Sequence, residues 1–191
     1  MVNTVGVLAL QGDFVRHQDM LVSLGCRVRA VRYTSDLEGL AGLVIPGGES
    51  TTISKQLDRS YLREAVSTFV RERPVMGTCA GLILMVRDPS DSRVNSLNLL
   101  DVVVTRNSWG RQVHSFTTPL EVQLNGRHDT VPAVFIRAPR IQEVGPEVEV
   151  LARIKNEPVL VRQGRHLGAA FHPELTNDTS IHRLFLEALP A

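Results

Sequence analysis

Alternation is the feature that most constrains this chain. "TVGVLAL" (Thr4 to Leu10) is a short, nearly continuous apolar run with β-branched residues, the pattern of a strand covered on both faces. The polar turn "QGD" separates it from a helical stripe of Phe14, His17, Leu21 and Leu24, which stops at Gly25, where glycine takes a left-handed C-terminal position. "RVRAVRY" (Arg27 to Tyr33) and "GLVIP" (Gly42 to Pro46) read as further strands. "SYLREAVSTFVRER" carries Leu62, Ala65, Val66, Phe69 and Val70 at helical spacing, and "PVMGTC" reads as the next strand. Strand and helix in alternation predict a parallel sheet with helices on both faces.

Val86 to Asn98 is polar and without clear periodicity, and it yields no element. Beyond it the pattern changes. "LLDVVVTRN", "HSFTTPLEVQL", "AVFIRAP", "VEVLARI", "EPVLVRQG" and "HLGAAFHPEL" follow one another with almost no helix between them, which predicts hairpins and antiparallel pairing. "SIHRLFLEAL" closes the chain as a helix, with Asp178 or Thr179 available as a cap. No repeat, low-complexity tract or linker interrupts the pattern, and a hydrophobic content of 43% supports a full core, so residues 1–191 read as one α/β domain with a mixed sheet.

Charge and sulfur narrow the function. Twenty-one Lys and Arg against 20 Asp and Glu leave no long-range field to attract nucleic acid or an anionic membrane. The start, "MVNTVGVLALQGD", has no basic n-region and no small-residue cleavage site, and no apolar window approaches ~18 residues, so the protein is expected to be soluble and cytoplasmic. Two cysteines, Cys26 and Cys79, make no disulfide framework, and no Cys/His cluster has zinc spacing. A special role for sulfur here is therefore chemical.

Cys79 stands in "RPVMGTCAGLILM", where the strand "PVMGT" gives way to the helix "AGLILMV". Reactive groups of an open parallel sheet gather at the carboxyl ends of strands. G-x-C-x-G has the form of a nucleophile elbow with cysteine in place of serine, a glycine on each side making room for the turn. The N-terminus of the following helix favours thiolate over thiol. The competing reading is a buried, inert cysteine, the reading that Cys26 in "LGCRVRA" receives. A nucleophilic thiol needs a base, and of six histidines only His172, in "GAAFHPEL", has a carboxylate at the right spacing, Glu174. His17, His114, His128, His166 and His182 lie in contexts that ask only for solvation or ordinary packing. Pro173 restricts His172 toward extended geometry, so that His172 and Glu174 can project to one side as the second and third members of a triad.

Acyl transfer also needs donors for an oxyanion. "LVIPGGEST" (Leu43 to Thr51) puts adjacent glycines at a strand's carboxyl end, and the N–H groups of Gly48 and Ala80 are the candidate hole. The rival reading of "PGGEST", a phosphate-binding turn, lacks the G-K-[ST] of a P-loop and the G-x-G-x-x-G of a dinucleotide fold.

"GTCAG", "FHPEL" and "PGGEST" together resemble the triad-type (class I) glutamine amidotransferases. More narrowly, "GVLALQGD", "PGGESTT", "RNSWGRQVHSF", "FIRAP" and "AFHPELT", in this order, are similar to the glutaminase subunits of pyridoxal 5'-phosphate synthase, and the likeness runs from about Val5 to the C-terminal helix. The resemblance implies a three-layer α/β/α domain with a mixed, largely parallel central sheet. It implies that Cys79 attacks the side-chain amide of L-glutamine, that His172 takes the thiol proton and delivers it to the leaving ammonia, and that Glu174 orients His172. It implies that Gly48, Glu49, Ser50, Arg106, Ile136 and Arg137 hold the glutamine, and that Gln11 and Gly12 lie near the site and the partner. It implies that ammonia passes to a separate synthase subunit, a (β/α)8 barrel, and that no metal, nucleotide or pyridoxal group resides on this chain. Departures are Trp109 and His114, where a phenylalanine and an acidic residue are expected, and a connection between "LILMV" and "RNSWG" several residues shorter than usual. Two other readings stay open: a class I glutaminase serving a different acceptor synthase, and a glutaminase-like fold kept as a binding or thiol-sensing module.

Overall fold

The computed structural model describes residues 2–106, 115–124 and 126–190. Trp109 and His114, with most of "RNSWGRQVHSF", lie outside the described residues. In chain order the elements are β1 (Thr4–Leu8), α1 (Phe14–Ser23), β2 (Arg27–Val31), β3 (Gly42–Ile45), α2 (Ser50–Arg59), α3 (Leu62–Phe69), β4 (Val75–Thr78), α4 (Ala80–Met85), β5 (Val86–Asp88), β6 (Leu100–Thr105), β7 (Ser115–Leu124), β8 (Arg127–Ile136), β9 (Arg140–Val144), β10 (Glu149–Ile154), β11 (Glu157–Gln163), β12 (His166–Ala169) and α5 (Ser180–Leu186).

The main sheet has the order β2-β1-β3-β4-β12-β11-β10-β7-β8. Pairing is parallel from β2 to β12, as the strand–helix alternation requires, and antiparallel from β12 onward, as the close spacing of the later strands requires. Burial follows position. Val5, Val7, Leu43, Val44, Ile45, Val75 and Met76 of the inner parallel strands are all inaccessible, whereas edge strand β2 alternates and turns its arginines outward. The step from β1 to β2 runs one way across the sheet and the step from β3 to β4 the other, so right-handed crossovers set α1 and α2 on opposite faces. A hydrogen bond between His17 of α1 and His182 of α5 joins those two helices in one layer. The result is the three-layer α/β/α arrangement.

Two features were not read from sequence. Helix α2 buries Ser50, Ile53, Ser54 and Leu57, and the two serines dilute the apolar stripe. Ser54 Oγ is instead fixed by polar contacts, receiving the Asn95 N–H at 3.0 Å and an Arg63 N–H at 3.0 Å. A separate small sheet, β5-β6-β9, forms beside the main one, where a single sheet was expected. Within Val86 to Asn98, β5 pairs with β6 and the rest is irregular apart from a turn at residues 92–93. At α5 the cap is Asp178, whose Oδ1 accepts the Ser180 N–H at 2.8 Å, while Thr179 makes no side-chain cap bond.

The elbow glycines are explained by close approach. A Cβ at Gly81 would stand 1.9 Å from the Ile45 carbonyl oxygen, and one at Gly77 2.6 Å from the Gly81 carbonyl carbon. Helix α4 thus lies directly against β3. Gly81→Ala is expected to destabilise the fold by roughly 3 kcal/mol, lowering Tm by roughly 6–12 °C. A thermal melt within about 1 °C of wild type would show that α4 relaxes away without cost.

Candidate active site

The carboxyl ends of β1, β3, β4 and β12 meet where the connections diverge, the position at which open α/β sheets bind ligands. Gln11 follows β1, Gly47 to Ser50 follow β3, Cys79 follows β4 and His172 follows β12. Together with Ala80, Ile83, Arg106, Ile136 and Arg137 these segments line a cleft of about 350 Å³, large enough for a small amino acid.

Cys79 takes φ 49° and ψ −104°, a conformation that L-residues adopt only when their surroundings impose it. The Cys79 N–H donates to the Ala169 carbonyl at 2.8 Å, which ties the elbow to β12. His172 is fixed from the other side, its N–H donating to the Val134 carbonyl of β8 at 2.8 Å. The ring Nδ1 of His172 lies 2.7 Å from Glu174 Oε1. An alternating extended strand was expected to bring these two side chains to one side. A short 3-10 turn over Pro173 to Leu175 does so instead. Gly47 fills the remaining gap, for a Cβ there would stand 2.5 Å from His172 Cε1 and 3.5 Å from Cys79 Cβ.

The electrostatics follow from this geometry. Burial pushes the His172 imidazole down, but a hydrogen bond to the Cys79 sulfur and another to Glu174 outweigh it, and the group is held up at about 10. Burial pushes Glu174 up, yet the imidazoles of His17 and His172 outweigh it and hold the carboxyl below its ordinary range. At neutral pH the assembly is an imidazolium between sulfur and carboxylate.

At the far end of the cleft, Glu49 caps α2. Its carboxylate accepts the N–H groups of Thr51 and Thr52 at 3.2 and 2.7 Å and both threonine hydroxyls at 2.5 and 2.7 Å. Burial pushes Glu49 up, but these four donors hold it at about 2. Arg106 bridges Glu49 at 2.8 Å and Asp91 at 2.6 Å. Asp91 comes from the segment that sequence patterning left blank, where its carboxylate also accepts the N–H groups of Arg93 at 3.0 and 2.9 Å. Gln11 Oε1 accepts the Glu49 N–H at 2.7 Å, so the loop after β1 braces the glycine pair. Ser50 Oγ is buried without a partner among the described residues, an open position for a polar ligand. Of the residues singled out from sequence, Gly48, Glu49, Ser50, Cys79, Ala80, Arg106, Ile136, Arg137 and His172 all line the cleft; Glu174 lies behind it.

One buried polar pair was not read from sequence. His17 and His182 were assigned solvation or ordinary packing, but both are fully buried and joined to each other, Nδ1 of His17 standing 3.0 Å from Nε2 of His182. His17 Nε2 lies 3.4 Å from Glu174 Oε2 and 3.2 Å from Thr78 Oγ1. A histidine inside an apolar helical stripe was the only sequence signal. No group of three or more His, Cys, Asp or Glu among the described residues is arranged to hold a metal ion, and no described helix is long and apolar enough to cross a membrane.

The profile of the SNO glutamine amidotransferase family matches residues 7–190. A "Pyridoxal 5'-phosphate synthase subunit PdxT" from Thermus thermophilus is 51% identical, covering 98% of each chain, and one from Deinococcus radiodurans is 49% identical, covering 96% of this chain and 95% of its own. A solved structure described as a glutamine amidotransferase superposes with a TM-score of 0.90 at 46% identity, covering 96% of this chain and 97% of that one. PurLQS from Thermotoga maritima, at 16% identity and a TM-score of 0.70, shares the fold.

The raised His172 and lowered Glu174 give the fold a definite pH response. Because His172 is held above its ordinary 6.5, its contribution to stability is complete below pH 6.5 and is lost as pH rises toward about 10. Glu174, held below its ordinary 4.5, contributes above that pH and is lost on acidification. Cys79→Ala removes one of the groups that raise His172, so the loss of stability between pH 6.5 and 10 should be shallower than in wild type. Denaturation midpoints that fall equally in both proteins across that range would contradict the sulfur–imidazole contact.

Proposed function

Since the chain belongs to the SNO glutamine amidotransferase family, we propose that it hydrolyses L-glutamine with Cys79 as nucleophile and delivers the ammonia to the synthase subunit of pyridoxal 5'-phosphate synthase. The observation that carries this reading is the series sulfur, imidazole, carboxylate at one strand end, with His172 Nδ1 committed to Glu174 at 2.7 Å and the His172 ring and Cys79 side chain both closing on Gly47.

The steps follow from proton positions. The thiol proton sits on His172, and Cys79 Sγ attacks the side-chain amide carbon. The oxyanion so formed is held by the N–H groups of Gly48 and Ala80. Ala80 opens α4, where the first N–H groups have no intrahelical acceptor. His172 then gives its proton to the leaving nitrogen, ammonia departs and a glutamyl thioester remains. Water, deprotonated by His172, cleaves the thioester to glutamate and regenerates the thiol. Glu174 keeps the imidazole in one tautomer throughout.

Substrate holding is assigned to Gly48, Glu49, Ser50, Arg106, Ile136 and Arg137. A zwitterionic amino acid needs both a cation and an acceptor, and the Glu49–Arg106 pair at the cleft wall supplies both signs. The open Ser50 hydroxyl adds an uncharged partner.

The identity of the relatives supports the acceptor, since both of those above bear the name of a pyridoxal 5'-phosphate synthase subunit. Free ammonia would be lost to protonation in bulk water, which favours an enclosed route into the (β/α)8-barrel partner. A cytoplasmic location belongs to the same reading, because a thiol nucleophile works only while reduced. No metal, nucleotide or pyridoxal group takes part on this chain in the proposed steps.

Glutamine hydrolysis is expected to rise when the synthase subunit is added and to fall roughly ten-thousand-fold in Cys79→Ala. Activity unaffected by the synthase would point to another acceptor, and no activity under either condition would leave a binding module. Arg106→Gln should raise KM by roughly tenfold to a hundredfold with little change in kcat, as loss of a charged ground-state contact does. An unchanged KM would remove Arg106 from substrate binding.

A further inference from the structure

Glu174 is enclosed by the fold, its side chain wholly inaccessible. Oε1 is occupied by His172, but Oε2 has no hydrogen-bond partner among the described residues. A buried carboxylate oxygen needs a donor. The group facing it is His17 Nε2, at 3.4 Å. We infer that His17, held by His182, is a positioning residue that donates its Nε2 proton to Glu174 Oε2 during turnover and so fixes the carboxylate that orients His172.

The tautomers follow by elimination. His17 Nδ1 and His182 Nε2 stand 3.0 Å apart, so one of the two carries the shared proton. If His17 Nδ1 carried it, neutral His17 would turn a lone pair toward Glu174 Oε2, and the remaining His182 N–H, at Nδ1, would be buried with no acceptor. If His182 Nε2 carries it, His17 Nε2–H faces Glu174 and Thr78, and His182 Nδ1 is an unprotonated nitrogen that needs no acceptor. The second arrangement leaves no donor stranded. Burial lowers both imidazoles, His182 to about 3, so the pair works as neutral rings.

The groups that act on His17 come from every side: Asp13 ahead of α1, Thr78 from β4, His172 and Glu174 from the turn after β12, and His182 from α5. Only Glu174 and Asp13 are anionic, and Asp13 is the smallest of these influences. The distance of 3.4 Å is long for the resting state, and such bonds tighten when substrate assembles the site.

This inference rests on the proposed triad chemistry, and its test separates the two. Glutamine hydrolysis is measured with the synthase subunit present for wild type, Cys79→Ala, His17→Asn and His17→Gln. Asparagine keeps a polar group at the Nδ1 position toward His182 but withdraws the donor from Glu174, whereas glutamine returns an N–H near Nε2. His17→Asn should lose kcat by about tenfold to a hundredfold at unchanged KM. The acid limb of its pH profile should move to higher pH, because a carboxylate deprived of a donor takes up a proton more readily. His17→Gln should recover most of both. An unmoved acid limb in His17→Asn, or equal losses in the two variants, would overturn the inference while leaving the triad intact. An inactive wild type or an active Cys79→Ala would instead refute the triad reading. Should His17→Asn not fold, as judged by circular dichroism, His182→Leu carries the test. It should move the limb the same way by less, and an unmoved limb would again overturn the assignment.

Discussion

An ionised carboxylate without access to water dictates how the core behind the cleft is built. Taking such a charge out of solvent costs several kcal/mol unless donors surround it. Glu174 meets part of that demand with His172 on its own turn, while His17 from α1 stands 3.4 Å from its second oxygen, held in its turn by Thr78 of β4 and His182 of α5. The same demand thus joins the first helix, the last helix and the strand that ends in Cys79. Because β12 and β8 fix the elbow and His172 through backbone bonds at 2.8 Å, Cys79 and His172 hang from rigid elements rather than from loops.

The opposite end of the cleft is built on balance rather than burial. Glu49 accepts from the N-terminus of α2 and from Arg106, and Arg106 is shared with Asp91. The cap and the cleft wall are one structure, which explains why "GGESTT" serves both a helix start and a site. The groups at that end of the cleft are already oriented by one another.

Much of this was legible in sequence, for reasons that differ by residue. The parallel half follows from uninterrupted apolar strands, and Cys79, His172 and Glu174 from chemical types at a particular spacing. Helix α2 was hidden because serines, bonded by Arg63 and Asn95, stand where apolar residues would mark a stripe. The small sheet was hidden because β5 is only three residues long and its pairing depends on tertiary contact. His17 and His182 lie 165 positions apart, and no local pattern announces that two helical histidines share a proton. Asp91 likewise acquires meaning only when Arg106 arrives beside it.

The left-handed backbone at Cys79 has an evolutionary consequence. A non-glycine residue held at φ 49° costs on the order of 1–3 kcal/mol, and glycine would relieve it. Selection for stability alone would therefore erode the thiol, and the proposed role in turnover is what would retain it. A lineage released from that demand should drift first at position 79, leaving a sturdier protein of the same shape with nothing to react.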